Sequence, residues 1–97
     1  MTTYNGWTNY PTWNVKLWLD NEPGTYDDAL DLAERHPVAY KLADALKDYV
    51  EDLLPDLGGS MAADLLGWAL CEVNWIEIAE AYLEEIEPEP VEDEQLA

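Results

Sequence analysis

The stretch PVAYKLADALKDYVEDLL at residues 37–54 decides the fold class, because its apolar residues recur with the period of an amphipathic helix. Side chains three or four positions apart share one helix face, and acidic side chains occupy the opposite face. The apolar set is Val38, Leu42, Ala45, Leu46, Tyr49, Val50 and Leu53. We therefore predict a helix that begins at Pro37, ends near Leu54 and buries one face.

Helical periods continue on both sides of this stretch, and strand-like alternation is scarce. Thr25, Ser60 and Asn74 are suitable N-terminal caps, and an acidic residue three positions after Thr25 and after Asn74 completes a capping box. The predicted helices cover residues 11–20, 25–36 and 37–54, with a fourth beginning after residue 60 and a fifth from residue 74 to residue 86.

These elements predict an all-α protein, a compact bundle of four to five short helices formed by residues 1–86. The remaining segment, residues 87–97, holds two prolines, five acidic residues and few apolar ones. Such a composition cannot bury enough apolar surface to fold. We expect it to be a disordered acidic tail.

The predicted fourth helix is apolar on almost every side, and only Asp64 and Glu72 interrupt it. An all-round apolar helix is either central in its bundle or covered by a partner. The oligomeric state therefore stays open between a monomer and a homodimer. Cys71, in the same helix, is expected to be a buried and inert thiol.

The charge of the chain excludes several classes of partner. The 97 residues include 22 acidic and 4 basic side chains, and the formal net charge is −18. This balance excludes direct binding to nucleic-acid phosphates and excludes a basic membrane-surface helix. A hydrophobic fraction of 48%, with five Trp and six Tyr, also excludes a wholly disordered acidic polymer. No apolar run is long enough to cross a membrane.

Residue types that support catalysis are scarce. His36 lies at a helix junction, where interaction with the helix dipole is its expected role. A structural zinc site needs four ligands, mainly Cys and His, and the chain has only His36 and Cys71 of these residue types. Residues 20–28 lack the alternating ligands of a calcium loop, and no glycine-rich phosphate loop is present. We predict no enzyme, no catalytic residue, no metal site and no cofactor.

Acidic residues follow the helical period on three predicted helices. On a helix, neighbours at these spacings lie about 5–6 Å apart, which is close to the spacing of phosphates along a nucleic-acid strand. The rows can therefore imitate nucleic acid and occupy a basic groove on a protein that binds it. The candidate contact residues are Asp27, Asp31 and Glu34 in the second helix, Asp44, Asp48, Glu51 and Asp52 in the third, and Glu77, Glu80 and Glu84 in the fifth.

Two plainer explanations of the acidity stand beside this hypothesis. Acidic faces keep a small domain soluble, but solubility needs a net charge of only about 2–8 in magnitude. A cell with high internal salt is the other explanation, because salt screens the repulsion among like charges.

The N-terminal segment is rich in aromatic residues and carries no net charge up to residue 21. Its Trp and Tyr side chains are expected to be core, because a small bundle needs their large buried area. The alternative is a docking patch formed by Trp7, Tyr10 and Trp13.

Two sequence blocks carry a resemblance. The first, Tyr-Asn-Gly-Trp-x-Asn-Tyr-x-Thr-Trp-Asn-Val-x-Leu-Trp, spans residues 4–18, and the second, Val-Asn-Trp-Ile-Glu-Ile-Ala, spans residues 73–79. Together they resemble a group of small acidic proteins of largely unassigned function in phages, plasmids and other mobile elements. The resemblance brings no catalytic residues. It implies a setting in which small acidic proteins commonly inhibit host defence, as anti-restriction or anti-CRISPR proteins.

The leading hypothesis from the sequence is an anti-defence protein in the cytoplasm of a bacterial or archaeal host. It would mimic nucleic acid and block the basic DNA- or RNA-binding surface of a defence complex, with a CRISPR effector preferred over a restriction enzyme. Two alternatives remain: an interaction module that docks through its aromatic N-terminus, and an acidic structural or regulatory protein of a high-salt cell.

Overall fold

The computed structural model describes residues 3–86, and these residues form five α-helices and no strand. The helices are α1 (Tyr10–Asn21), α2 (Pro23–Arg35), α3 (Ala39–Leu53), α4 (Met61–Glu72) and α5 (Trp75–Ile86). The prediction of an all-α bundle is confirmed for this range. The predicted disordered tail, residues 87–97, lies outside the described residues.

Helices α2, α3 and α5 pack against one another around the centre of the core, and α3 and α5 share the largest contact. Residues four apart on one face supply the packing, as the periodicity predicts. The largest fully buried apolar side chains are Leu42 and Leu46 of α3 and Ile78 and Tyr82 of α5. Small residues of α2, Ala29 and Ala33, let that helix approach closely and are also fully buried.

The ends of the predicted α3 stripe are less buried than expected. Val38 and Leu53 are each about half exposed. Val38 lies before the first residue of α3 and Leu53 is its last residue, so both stand at the ends of the helix rather than in the middle of its packed face.

Two predicted helix starts are wrong. Helix α2 begins at Pro23, because proline is well suited to the first turn of a helix. The Thr25 hydroxyl donates to the carbonyl of Leu19 at 2.8 Å and so ties α2 to the end of α1, instead of capping α2. Helix α3 begins at Ala39 and not at Pro37, because Val38 is still extended and acts as its N-cap.

Of the two alternatives for helix α4, the structure excludes a central position. The helix contains no buried residue, and Met61, Leu65 and Trp68 are largely exposed. Among the described helices α4 contacts α1 alone, through a small area, and an all-round apolar helix needs neighbours on more than one side to be buried. The prediction for the thiol is wrong, since Cys71 is exposed. The Ser60 cap is confirmed: its hydroxyl accepts from the amide of Ala63 at 3.1 Å.

The two sequence blocks meet in space at the start of α1 and the start of α5. Asn9 caps α1 by accepting from the amide of Thr12 at 3.0 Å, and its own side-chain amide donates to the carbonyl of Glu72 at 2.7 Å. The fully buried Thr12 hydroxyl accepts from the backbone amide of Asn74 at 2.8 Å. The first block is therefore bonded to the turn between α4 and α5.

A second layer of hydrogen bonds closes this joint. The Asn74 side chain caps α5 by accepting from the amide of Glu77 at 3.1 Å, as predicted. The Glu77 carboxylate accepts from the backbone amide of Thr8 at 3.1 Å rather than completing a capping box with Asn74. Residues that are 62 to 69 positions apart in sequence thus satisfy one another's backbone groups. This gives a structural role to Asn9 and Thr12 in the first block and to Asn74 and Glu77 in the second.

The joint predicts a specific cost for losing the Thr12 hydroxyl. Thr12→Val keeps the side-chain shape but leaves the Asn74 amide without its acceptor, so the free energy of unfolding should fall by about 1–3 kcal/mol. Denaturant unfolding measures the change. Thr8→Val is the matched control, because the Thr8 hydroxyl only accepts an exposed bond from the Asn74 side chain. An equal loss in both variants would contradict the role given to Thr12.

Candidate functional site

Lys16 lies at the centre of a charged cluster whose carboxylates come from the C-terminal ends of α1 and α5. Its side chain is only 10% exposed, and its ammonium lies 2.5 Å from Asp20 of the same helix and 3.3 Å from Glu85 of α5. It also faces the ring of Tyr82, 4.5 Å from the centroid, and the ring of Trp7 at 5.8 Å. Burial of a lysine is compensated here by two carboxylates and two aromatic faces.

Each carboxylate of the cluster also accepts a hydrogen bond from a tyrosine. The Tyr82 hydroxyl donates to Asp20 at 2.6 Å, and the Tyr26 hydroxyl donates to Glu85 at 2.5 Å. Burial, followed by the bond to Asp20, raises the pKa of Tyr82 far above its usual value. The bond to Glu85, followed by burial, raises the pKa of Tyr26.

The geometry of this cluster favours a structural role. A raised pKa keeps the tyrosine hydroxyls protonated at neutral pH, which is the opposite of what a general base requires. The ammonium, the carboxylates and the hydroxyls are already bonded to one another. Within residues 3–86, no group of three or more His, Cys, Asp or Glu side chains is arranged to hold a metal ion.

The acidic row of α3, comprising Asp44, Asp48, Glu51 and Asp52, lies on the side of α3 opposite the core. All four residues are exposed. Their carboxylates make no hydrogen bond or ion pair with any other described residue. The row extends over roughly 12 Å of helix, since each residue adds about 1.5 Å. These charges face water and do not stabilise the fold.

The α2 candidates are exposed. Asp27 and Glu34 face solvent, and Asp31 forms an exposed pair with Arg35 in the same helix. The Tyr49 hydroxyl of α3 donates to Asp28 of α2 at 2.7 Å, which ties the two helices together. Burial, followed by this bond, raises the pKa of Tyr49 to about 12.

The three α5 candidates divide into two kinds. Glu80 and Glu84 are exposed and have no partner among the described side chains. Glu77 is half-buried and accepts from the amide of Thr8, so its charge is used within the fold. The candidate acids thus consist of one structural carboxylate and nine exposed ones.

The aromatic candidates are placed unequally. Trp7 and Trp13 are half-buried, and Trp7 packs against the core, as expected for this segment. The expectation of core positions is wrong for Trp18 and Tyr10, which are 60% and 52% exposed because they border an open groove beside α1. Tyr10 is half exposed and stands with Tyr4 and Trp13 in an edge-packed cluster, with ring centroids 4.9–5.5 Å apart. Of the three predicted docking residues, Tyr10 is the one that a partner can reach most easily.

A turn that sequence reasoning missed positions this aromatic cluster. The amides of Tyr4 and Trp7 exchange hydrogen bonds of 2.8 Å with each other's carbonyls. Asn5 and Gly6 between them both have positive φ, at 49° and 87°. The dipeptide Asn-Gly is the strongest sequence signal for such a turn, and it was the signal that could have predicted it.

An apolar groove of about 360 Å³ between α1, the end of α3 and α4 was also missed. Its walls include Val15 and Trp18 of α1, Leu54 after α3, and Leu66 and Leu70 of α4. Glu22 is the one charged residue among those that line it. The apolar character of α4 was evident in the sequence, but a groove requires the relative positions of three helices.

Comparison with known proteins places the chain in a family. A model described as a family of unknown function (DUF7249) matches residues 1–92. The chain belongs to this family. The match includes both sequence blocks and the whole helical region, so the joint between the blocks lies inside the part that defines the family. No curated protein and no solved structure matches the chain. Within residues 3–86, no helix is both long enough and apolar enough to span a bilayer.

The raised pKa of Tyr82 predicts a loss of stability at alkaline pH. The folded state favours the protonated phenol, and this preference stabilises the fold. The stabilisation is complete below the usual tyrosine pKa near 10 and is lost as the pH rises toward the pKa of Tyr82 in the folded state. Above pH 10, the free energy of unfolding of the Tyr82→Phe variant should therefore fall less steeply with pH than that of the parent. The difference between the two slopes should be about 1.4 kcal/mol for each pH unit.

Denaturant unfolding at several pH values above 10 measures these slopes. Tyr40→Phe is the control for losing one phenol, because Tyr40 is largely exposed. A Tyr82→Phe slope identical to that of the parent would contradict the assignment.

Proposed function

We propose that this protein is an anti-defence inhibitor that mimics nucleic acid. Its acidic faces occupy the basic DNA- or RNA-binding surface of a host defence complex in the bacterial or archaeal cytoplasm, and a CRISPR effector is preferred over a restriction enzyme. The observation that carries the proposal is the acidic row of α3, whose four exposed carboxylates have no partner among the described residues.

The contrast between carboxylates that are hydrogen-bonded within the fold and carboxylates that have no bonded partner among the described residues supports the proposal. Asp20, Glu77 and Glu85 accept hydrogen bonds from distant parts of the chain and stabilise the fold. The α3 row contributes no such bond, and like charges one helical turn apart are destabilising by a few tenths of a kcal/mol per pair. Retaining such a row at a cost to stability is understandable if the charges act on a partner.

The type of partner follows from charge complementarity. A basic channel attracts phosphates through a strongly salt-dependent interaction, and a row of carboxylates at similar spacing inherits that attraction. CRISPR effectors hold a guide–target duplex in a positively charged channel that recognises its backbone and shape. The resemblance to mobile-element proteins is the reason for preferring a defence complex over other nucleic-acid-binding proteins.

A pull-down from host lysate at low salt tests the proposal. The parent should retain a nucleic-acid-binding complex that added duplex DNA displaces and that is released as salt rises from about 50 to 200 mM. A variant with Asp44→Asn, Asp48→Asn, Glu51→Gln and Asp52→Asn should lose this complex, because its phosphate-like row is neutral.

The matched control removes four charges from the tail, by Glu87→Gln, Glu89→Gln, Glu92→Gln and Asp93→Asn. This variant has the same net charge as the α3-row variant and should keep the complex. Three results would contradict the mimic: a complex that resists salt, a complex that DNA does not displace, or equal loss of binding in the two variants.

A second candidate function is docking on a host or viral protein through the aromatic N-terminus. The exposure of Tyr10 beside Tyr4 and Trp13 favours it. In the same pull-down, this candidate predicts a complex that is insensitive to salt, unaffected in the α3-row variant and lost in Tyr10→Ala.

A further inference from the structure

Helix α4 is under-stabilised by the described chain. It has 12 residues, none of which is buried, and among the described helices it contacts only α1, through a small area. Isolated helices of about 12–15 residues are marginal in water, and most helices depend on packing of an apolar face. The apolar composition of α4 therefore indicates a surface that another molecule covers.

The exposed surface has two complementary parts. One is the apolar groove between α1, the end of α3 and α4. The other is a ridge of Met61, Leu65 and Trp68, which are three or four residues apart and so share one face of α4. The ridge and the groove both include residues of α4, so they form one continuous patch. Such a patch is self-complementary when each copy inserts its ridge into the groove of the other, which is the arrangement of a two-fold interface.

The area of this surface approaches that of a stable dimer. Met61, Leu65 and Trp68 are 78%, 61% and 63% exposed, and the groove edge adds Trp18, Leu53 and Tyr10 at 60%, 51% and 52%. At about 200 Å² for each large side chain, complete covering of these six would bury at most about 700 Å². A standard interface buries about 800 Å² on each partner.

Charge distinguishes among the molecules that could bind in the groove. The groove has one charged lining residue, Glu22, in a chain with a net charge of −18. The segment at residues 87–97 carries five acidic residues and few apolar ones, so it is a poor match for an apolar groove. A basic partner would be attracted to the acidic faces of α2, α3 and α5 instead. A second copy offers an apolar ridge of matching character.

We propose that the protein is a two-fold symmetric homodimer in which the α4 ridge of each copy occupies the groove of the other. This proposal does not depend on nucleic-acid mimicry, since it uses a different surface. None of the four residues in the acidic row of α3 lines the groove or belongs to the ridge.

Sedimentation velocity of the full chain over a range of concentrations tests the dimer. The expected species has twice the 11.0 kDa mass of one chain. Dimerisation should strengthen as salt rises, because salt screens the repulsion between two acidic copies. Binding of a basic partner should weaken under the same change, so the two proposals can fail separately.

Leu65→Glu should raise the dimer dissociation constant by about 100-fold, because it places an unpaired charge in the interface. Tyr40→Glu is the matched control: Tyr40 is 60% exposed, lies outside the groove and the ridge, and receives the same new charge. Leu65 is exposed in one copy, so circular dichroism should show that both variants keep their helices.

Three results would overturn the dimer. The first is a monomer at every concentration in low and high salt. The second is equal dissociation in Leu65→Glu and Tyr40→Glu. The third is a dimer that forms only after residues 87–97 are deleted, which would identify that segment as the occupant of the groove.

Discussion

The buried ammonium of Lys16 is the interaction on which the arrangement of this bundle depends. Of the four basic residues in the chain, it alone is buried, and it joins Asp20 of α1 to Glu85 of α5. Tyrosines from α2 and α5 bond the same two carboxylates, and Trp7 covers the ammonium from the N-terminal segment. Four parts of the chain are thereby fixed around one cation, in a molecule that is otherwise strongly negative.

This constraint divides the acidic residues by role. Carboxylates near Lys16 and at the joint between the two sequence blocks are bonded within the fold. The row of α3 and the exposed acids of α2 and α5 lie on the outer sides of the three-helix core. The apolar surface of α1 and α4 is separate from them. A nearly uncharged docking surface and exposed acidic faces can therefore act on different partners in one small domain.

Sequence periodicity predicted the helices that pack on one face, because α3 and α5 bury the residues that recur every three or four positions. It could not predict the exposure of α4, since an all-round apolar pattern does not specify which neighbours exist. Lys16 and Asp20 have the spacing of an ordinary surface pair, and nothing local indicates that Glu85, 69 residues away, completes their site. The outward acids of α3 were predictable, whereas the use of Glu77 within the fold required the position of Thr8.

The most direct test of this account compares Lys16→Met with Lys47→Met by denaturant unfolding. Both variants have the same net charge, but Lys47 is exposed on α3 and has no carboxylate partner among the described residues. Lys16→Met leaves Asp20 and Glu85 without their shared cation and should lower the free energy of unfolding by about 2–3 kcal/mol. This is less than the cost for a fully buried pair, because water screens the two carboxylates, which are 34% and 35% exposed. Lys47→Met should change it by no more than about 0.5 kcal/mol. Equal effects would contradict the account, because total charge rather than the Lys16 cluster would then determine stability.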